Sequence, residues 1–255
     1  GGRTDRQIVD AVHAGDLDES AVDIAAGRVV DLVRKAQQRP AIEGPLDVEA
    51  HHALAREAAG RAIVLLKNNG GLLPLAPSAQ IAVIGAFAET PRYQGAGSSN
   101  INPTRLDSAL DGIREYADGD VAYAAGFTLD GSGDPDALRA EAVEAARTAE
   151  VAVVFLGLPA ADESEGYDRE HIDLPAAQLA LLDEVVAANP RTVVVLSNGS
   201  VVALPFAEKV PAIVEGWLLG QAGGSATADV LYGAVNPSGK LTETIPVCLE
   251  DNSAY

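Results

Sequence analysis

From residue 47 onward the chain alternates short apolar runs with longer amphipathic segments. The runs are Ala62–Leu66, Ile81–Ile84, Val151–Leu156, Thr192–Leu196 and Ala212–Trp217. Each holds four to six residues and is rich in β-branched side chains, and several lack polar alternation. Strands buried on both faces of a parallel sheet read this way. A helix near 47–60 leads into the first run, and segments near 106–116, 135–149, 175–189 and 222–233 are long enough for crossover helices. The pattern predicts the α/β class: an open, mostly parallel sheet with helices on both faces. Ligands of such sheets bind outside the carboxyl ends of the strands. The loops to weigh are therefore those after Ile84, Leu156, Leu196 and Trp217.

The first 36 residues break this pattern and read as two helices. Asp5 is a plausible cap before Arg6-Gln7-Ile8-Val9, and Gly15 ends the stretch. A second helix starts near Asp18 and carries Val22, Ala25, Val29, Val30 and Val33 at helical spacing. Residues 39–46 then form a linker in which Pro40, Gly44 and Pro45 forbid a continuing helix. Residues 1–38 thus read as the helical tail of a different domain, 47–246 as the α/β domain, and 247–255 as the start of a further linker.

Composition narrows the function classes. Acidic residues outnumber basic ones 37 to 18, a formal charge of −19, with no basic stripe for a phosphate backbone, so nucleic acid is not an expected partner. The same sign disfavours an anionic membrane surface, and no apolar run reaches the ~18 residues of a membrane span. Cys248 is the only cysteine, which excludes an intrachain disulfide and a cysteine-rich zinc site. A chain that begins Gly1-Gly2 and contains no methionine is expected to be a piece of something longer.

The loop after Leu156 carries the densest chemistry. Asp162, Glu163, Glu165, Asp168 and Glu170 place five carboxylates within nine residues, ahead of Leu174-Pro175. Like charges this close repel, and one held in a dry pocket would keep a proton near neutral pH, as a general acid must. A solvated acidic loop with Arg169 as its counter-ion explains the same residues. Chemistry alone leaves Glu163 and Glu165 both open.

The stretch Glu163-Ser164-Glu165-Gly166-Tyr167-Asp168-Arg169 with Leu174-Pro175 resembles the acid/base loop of glycoside hydrolase family 3, which includes β-glucosidases and β-xylosidases. His52, Arg56-Glu57-Ala58, Ile63–Asn68, Leu72–Leu75, Ile81–Gly85, Gln94–Ser99 and Val235–Leu241 resemble further motifs of that family, in order, over roughly residues 45–246. The resemblance implies a six-stranded α/β sandwich that supplies an acid/base glutamate to a retaining hydrolase, while a preceding barrel domain supplies an aspartate nucleophile. By position it points to Glu165, with Glu163 second. It places the loop at Gly95–Asn100 near the domain interface and the sugar site, so Arg92, Tyr93, Ser98 and Ser99 are candidate substrate contacts.

The chain departs from the family in lacking the barrel, the nucleophile and a fibronectin-like third domain. Residues 1–36 resemble only the last barrel helices. The expected parent is an exo-β-glycosidase, foremost a β-glucosidase and alternatively a β-xylosidase, needing no metal or cofactor. Its β-glycoside substrate would be shared with the barrel, and these 255 residues would be inactive alone. The surface a barrel would cover could instead drive self-association. Competing readings are a non-catalytic carbohydrate- or partner-binding domain, and a flavodoxin-like nucleotide binder with a phosphate site at Gly95–Ser99.

Other features have plain readings. The loop at Gly95–Asn100 lacks the third glycine and the following helix of a dinucleotide site. His51 and His52 are adjacent and would make a poor chelate, so a structural role is expected. His171 beside the acidic loop reads as solvent-facing and His13 as part of the tail helix. Trp217 reads as core, Lys67 and Asn68 as structural, and Gly199-Ser200 lacks the spacing of a nucleophile elbow.

Overall fold

A computed structural model describes residues 4–40 and 44–253. The chain divides into two compact units, Gly1–Leu46 and Asp47–Tyr255. In the expected linker, residues 41–43 lie outside the described residues, as do residues 254 and 255 of the expected C-terminal linker.

The first unit holds α1 (Asp5–Ala14) and α2 (Glu19–Gln37). Gly15 closes α1 in the left-handed region at φ 80°, donating its N–H to Ala11 and Val12 carbonyls. Thr4, not Asp5, occupies the cap position, and Asp5 is the first helical residue. Asp18 caps α2 by accepting from the Ser20 N–H at 2.8 Å. Neither helix buries a residue; Ile24, Val29, Leu32 and Val33 are half to two-thirds exposed, so the amphipathic pattern is real but its apolar side is open.

The second unit begins where Asp47 caps α3 (Val48–Ala62), accepting from the Ala50 N–H at 2.9 Å. It continues through β1 (Val64–Asn68), β2 (Ile81–Ile84), α4 (Ala109–Tyr116), β3 (Ala122–Ala124), α5 (Pro135–Thr148), β4 (Val151–Gly157), α6 (Ala176–Ala188), β5 (Thr192–Ser197), β6 (Ala212–Glu215) and α7 (Gly223–Leu231). The sheet order is β1-β6-β5-β4-β2-β3. All neighbours are parallel except β1, which runs antiparallel to β6. The central strands are buried along almost their whole length, because two helix groups cover the sheet: α3, α4 and α7 pack together, and α5 packs on α6. β3 escapes the apolar-run pattern because its three residues include one exposed and one half-buried position.

Polar side chains lock the first helix group. Arg56 on α3 donates to both Asp229 oxygens on α7, at 2.7 and 2.6 Å, and Tyr116 at the end of α4 donates to Asp229 Oδ1 at 2.6 Å. His52, buried on α3, sits 2.9 Å from Asp107 through Nε2 and 2.8 Å from Gln221 through Nδ1. Ser225 donates to the same Asp107 oxygen at 2.6 Å. His52 is therefore structural. At the sheet edge the Asn68 side chain pairs with both polar groups of the Leu73 backbone, at 2.9 and 3.0 Å, and Lys67 donates to the Ala207 carbonyl at 2.5 Å.

The start of α7 approaches the chain ahead of α4 with no room for a side chain. A Cβ on Gly224 would stand 2.3 Å from the Ser108 carbonyl carbon and 2.4 Å from the Asp107 oxygen. These are backbone atoms, which cannot rotate aside, so Gly224→Ala is expected to cost about 2–3 kcal/mol. The check is a lower urea midpoint at an unchanged slope.

Candidate active site

Five parallel strands end on one edge of the sheet, and the connections after β2, β4, β5 and β6 carry the residues of interest. The long ones after β2 and β4 are stitched together: Ala96 and Ser164 form an isolated parallel bridge, and the Glu165 N–H donates to the Ala96 carbonyl at 3.3 Å. This contact decides where the acidic residues stand.

Glu165 lies at the exposed tip. Its Oε2 accepts the Ser98 N–H at 2.8 Å and the Ser98 hydroxyl. The hydroxyl and then the N–H hold its carboxyl below the usual glutamate range. Gly97 makes the approach possible: its φ is 95°, and a Cβ there would fall 2.6 Å from Glu165 Cβ. The Ser98 N–H that a phosphate at Gly95–Ser99 would need is thus already bonded to a protein carboxylate, which argues against the nucleotide reading.

Glu163 lies deeper and is held on three sides. Oε2 accepts the Gly199 N–H at 2.9 Å and Oε1 the Ser200 hydroxyl at 2.5 Å, both from the loop after β5. Arg92 Nη2 stands 3.7 Å from Oε2, with its side chain 8% exposed. All three Arg92 nitrogens are bonded within the protein: to Leu158 O at 3.1 Å, to Gln94 O, and to Glu163 O at 2.8 Å. Burial lowers the Arg92 pKa, and the Glu163 charge opposes that shift. Arg92 is therefore a buried tie across the loops.

The Tyr93 hydroxyl donates to the Ile101 carbonyl at 3.0 Å and accepts from Gln94 at 2.7 Å. Ser99 is exposed on the loop. Arg169, the expected counter-ion, instead donates to Ser200 Oγ at 2.9 Å and Val201 O at 2.6 Å. A cleft of about 330 Å³ runs past Glu163, Glu165, Tyr167, Arg169 and Ser200. A second, of similar volume, lies between Arg92–Ala96 and Pro159–Ala161 and is largely apolar.

One carboxylate of this region is not among the residues singled out from the sequence. Glu215 ends β6 and is 1% exposed. Oε1 accepts the Trp217 N–H at 2.9 Å, and Oε2 lies 3.5 Å from Asn198 Nδ2. Burial pushes its carboxyl up to about 7, the Trp217 and Asn198 bonds pull the other way, and the Glu163 charge adds to the rise. Its only sequence signal is a lone acid inside an apolar run.

Trp217 is half-buried at φ 49°, and His171 is exposed, accepting the Asp173 N–H at 3.3 Å. Among the described residues, no group of three or more His, Cys, Asp or Glu side chains is arranged to hold a metal ion.

Comparison with known proteins supplies the family. Residues 63–255 match the glycosyl hydrolase family 3 C-terminal domain. The chain is 49% identical over 260 residues to an exo-α-(1→6)-L-arabinopyranosidase of Bifidobacterium longum, covering 98% of this chain and 34% of that protein. It is 47% identical over 257 residues to thermostable β-glucosidase B of Acetivibrio thermocellus, covering 100% of this chain and 34% of the relative. A crystal structure of a GH3 β-glucosidase from Bifidobacterium adolescentis superposes with a TM-score of 0.91 at 50% identity, over 99% of this chain and 37% of that one. The chain thus spans about a third of the length of these relatives, with the sheet and helices predicted from its apolar pattern, and it belongs to glycosyl hydrolase family 3.

Proposed function

We propose that this chain is the acid/base-donating part of a retaining exo-β-glycosidase, foremost a β-glucosidase, with Glu165 as the acid/base. The observation that carries this reading is the placement of Glu165: a carboxylate at a strand's carboxyl-end loop, fixed by the Ala96 carbonyl and Ser98 yet open to solvent. Glu163 has its carboxylate engaged by Gly199, Ser200 and Arg92, which leaves it less free to meet a leaving oxygen.

In the reaction Glu165 protonates the glycosidic oxygen as the nucleophile attacks the anomeric carbon, then takes a proton from the water that releases the sugar. Retention requires the two carboxyls ~5–5.5 Å apart, the nucleophile coming from another part of the protein. In solvent the Ser98 bonds favour the ionised form of Glu165. A domain and substrate covering the loop would strip water from it and raise its proton affinity, which gives the docked face a chemical task.

An α-L-arabinopyranoside and a β-D-glucoside both present an equatorial leaving oxygen, so one acid/base serves either. The similarity to an arabinopyranosidase makes that sugar part of the test. The full-length protein is expected to hydrolyse p-nitrophenyl β-D-glucopyranoside, with α-L-arabinopyranoside assayed beside it, and the 255-residue chain to hydrolyse neither. Turnover by the short chain would overturn the division of labour.

A further inference from the structure

We propose that Glu215 is a positioning residue of the acid loop, acting as a neutral carboxylic acid through Asn198, Ser200 and Glu163. Its relevance to catalysis rests on the Glu165 reading; the anchoring itself does not.

The argument starts from what surrounds Glu215. In the sheet its neighbours across β1 and β5 are Val64 and Leu196, both apolar. The charged group on β1, Lys67, is bonded to Ala207 O. From the loop after β5 the facing side chain is the uncharged Asn198, and from its own loop it meets the Trp217 N–H. From the loop after β4 the charge acting on it is Glu163, of the same sign. Neither nearby guanidinium is bonded to Glu215: Arg92 holds three carbonyls and Glu163, and Arg169 holds Ser200 and Val201 through Nη2, with Nη1 buried and unpartnered. An ionised Glu215 would be a buried charge with one backbone donor, one long amide contact and a like charge beside it, an arrangement that favours the protonated form.

A continuous path joins this acid to the loop. Asn198 is 1% exposed and donates to the Ser200 carbonyl at 3.0 Å. The Ser200 hydroxyl then donates to Glu163, and Glu163 is two residues from Glu165. Asn198 Oδ1 is buried without a donor. Ionising Glu215 sets its charge against that of Glu163 and loosens the grip of Gly199 and Ser200 on the loop.

The linkage has a definite sign. A carboxyl whose folded pKa is raised favours folding while protonated. The stability is lost as pH climbs from the ordinary carboxylate range to about 7, and the loss is complete above that. Glutamine matches the neutral acid in shape, so Glu215→Gln should fold, and it removes the titration.

The test uses the 255-residue chain and needs no activity. Backbone amide NMR signals of Gly199 and Ser200 are followed from pH 5 to 9 in the wild type, Glu215→Gln and Glu163→Gln. The wild type is expected to titrate with a midpoint near 7, Glu215→Gln to lose that step, and Glu163→Gln to show a lower midpoint for Glu215. The melting temperature of Glu215→Gln should match wild type at pH 5 and exceed it at pH 8. An unchanged midpoint in Glu215→Gln, or a lower melting temperature at both pH values, would overturn the proposal. If Glu165 proves not to be the acid/base, these results stand unchanged, which separates the two claims.

Discussion

Glu165→Gln in the full-length protein is expected to lower kcat/KM for alkyl β-glucosides by about 10²–10⁴-fold, the usual worth of a positioned general acid. The loss should depend on the leaving group. A 2,4-dinitrophenolate departs without protonation, so its glycosylation step should change little, whereas an alkoxide cannot leave until it receives a proton. Glu163→Gln is expected to behave differently. It removes a charge bonded to Gly199, Ser200 and Arg92, so its effect works through the position of the loop and should be similar for every leaving group. Plotting log(kcat/KM) against leaving-group pKa separates the roles, with a steep slope expected for Glu165→Gln and a parallel displacement for Glu163→Gln.

Asp229→Ala is expected to cost about 3 kcal/mol, the lower end of the range for breaking a buried pair. The lower end applies because the Arg56 side chain is 36% exposed, against 9% for Asp229, and water can recover part of its solvation. Removing the carboxylate strands two donors, the Arg56 guanidinium and the Tyr116 hydroxyl, and unlinks α3 and α4 from α7. For a chain of this length the melting temperature should fall by roughly 6–12 °C. The pair also sets an acid limit. Burial alone would raise the Asp229 pKa, but the bonds from Arg56 and Tyr116 outweigh it and leave the carboxyl below its usual range. A depressed carboxylate adds stability above its unfolded pKa, near 4, and loses it as pH falls through the folded value. Thermal scans from pH 6 to 2 should show wild type and Asp229→Ala converging at the acid end.

Much of this was legible in the sequence because periodicity reports burial. Five of the six strands were visible as apolar runs, since a strand covered on both faces has no polar side to break the run. β3 was not, because Ala122–Ala124 is a short edge strand whose first residue is exposed. Helices were placed to within a few residues by their caps and apolar spacing. Site geometry was harder. The acidic loop stood out by its charge, but its division into an anchored Glu163 and an open Glu165 comes from partners 36 or more residues away, Gly199, Ser200 and Ser98. Arg92 reads in the sequence as a candidate sugar contact; its burial arises only when the loops after β2 and β4 close over it. Glu215 was hidden for the opposite reason, as a single acid inside a run that otherwise reads as core.

The central claim is that Glu165, rather than Glu163, exchanges the proton, and the most direct measurement is rescue by azide. In the full-length protein carrying Glu165→Ala, an activated aryl β-glucoside should still form the glycosyl intermediate, which then stalls for want of a base to deprotonate water. Azide needs no deprotonation, so it should restore turnover and yield β-glucosyl azide with retained configuration. Glu163→Ala should give only glucose and no rescue. β-Glucosyl azide from Glu163→Ala, with none from Glu165→Ala, would contradict the assignment.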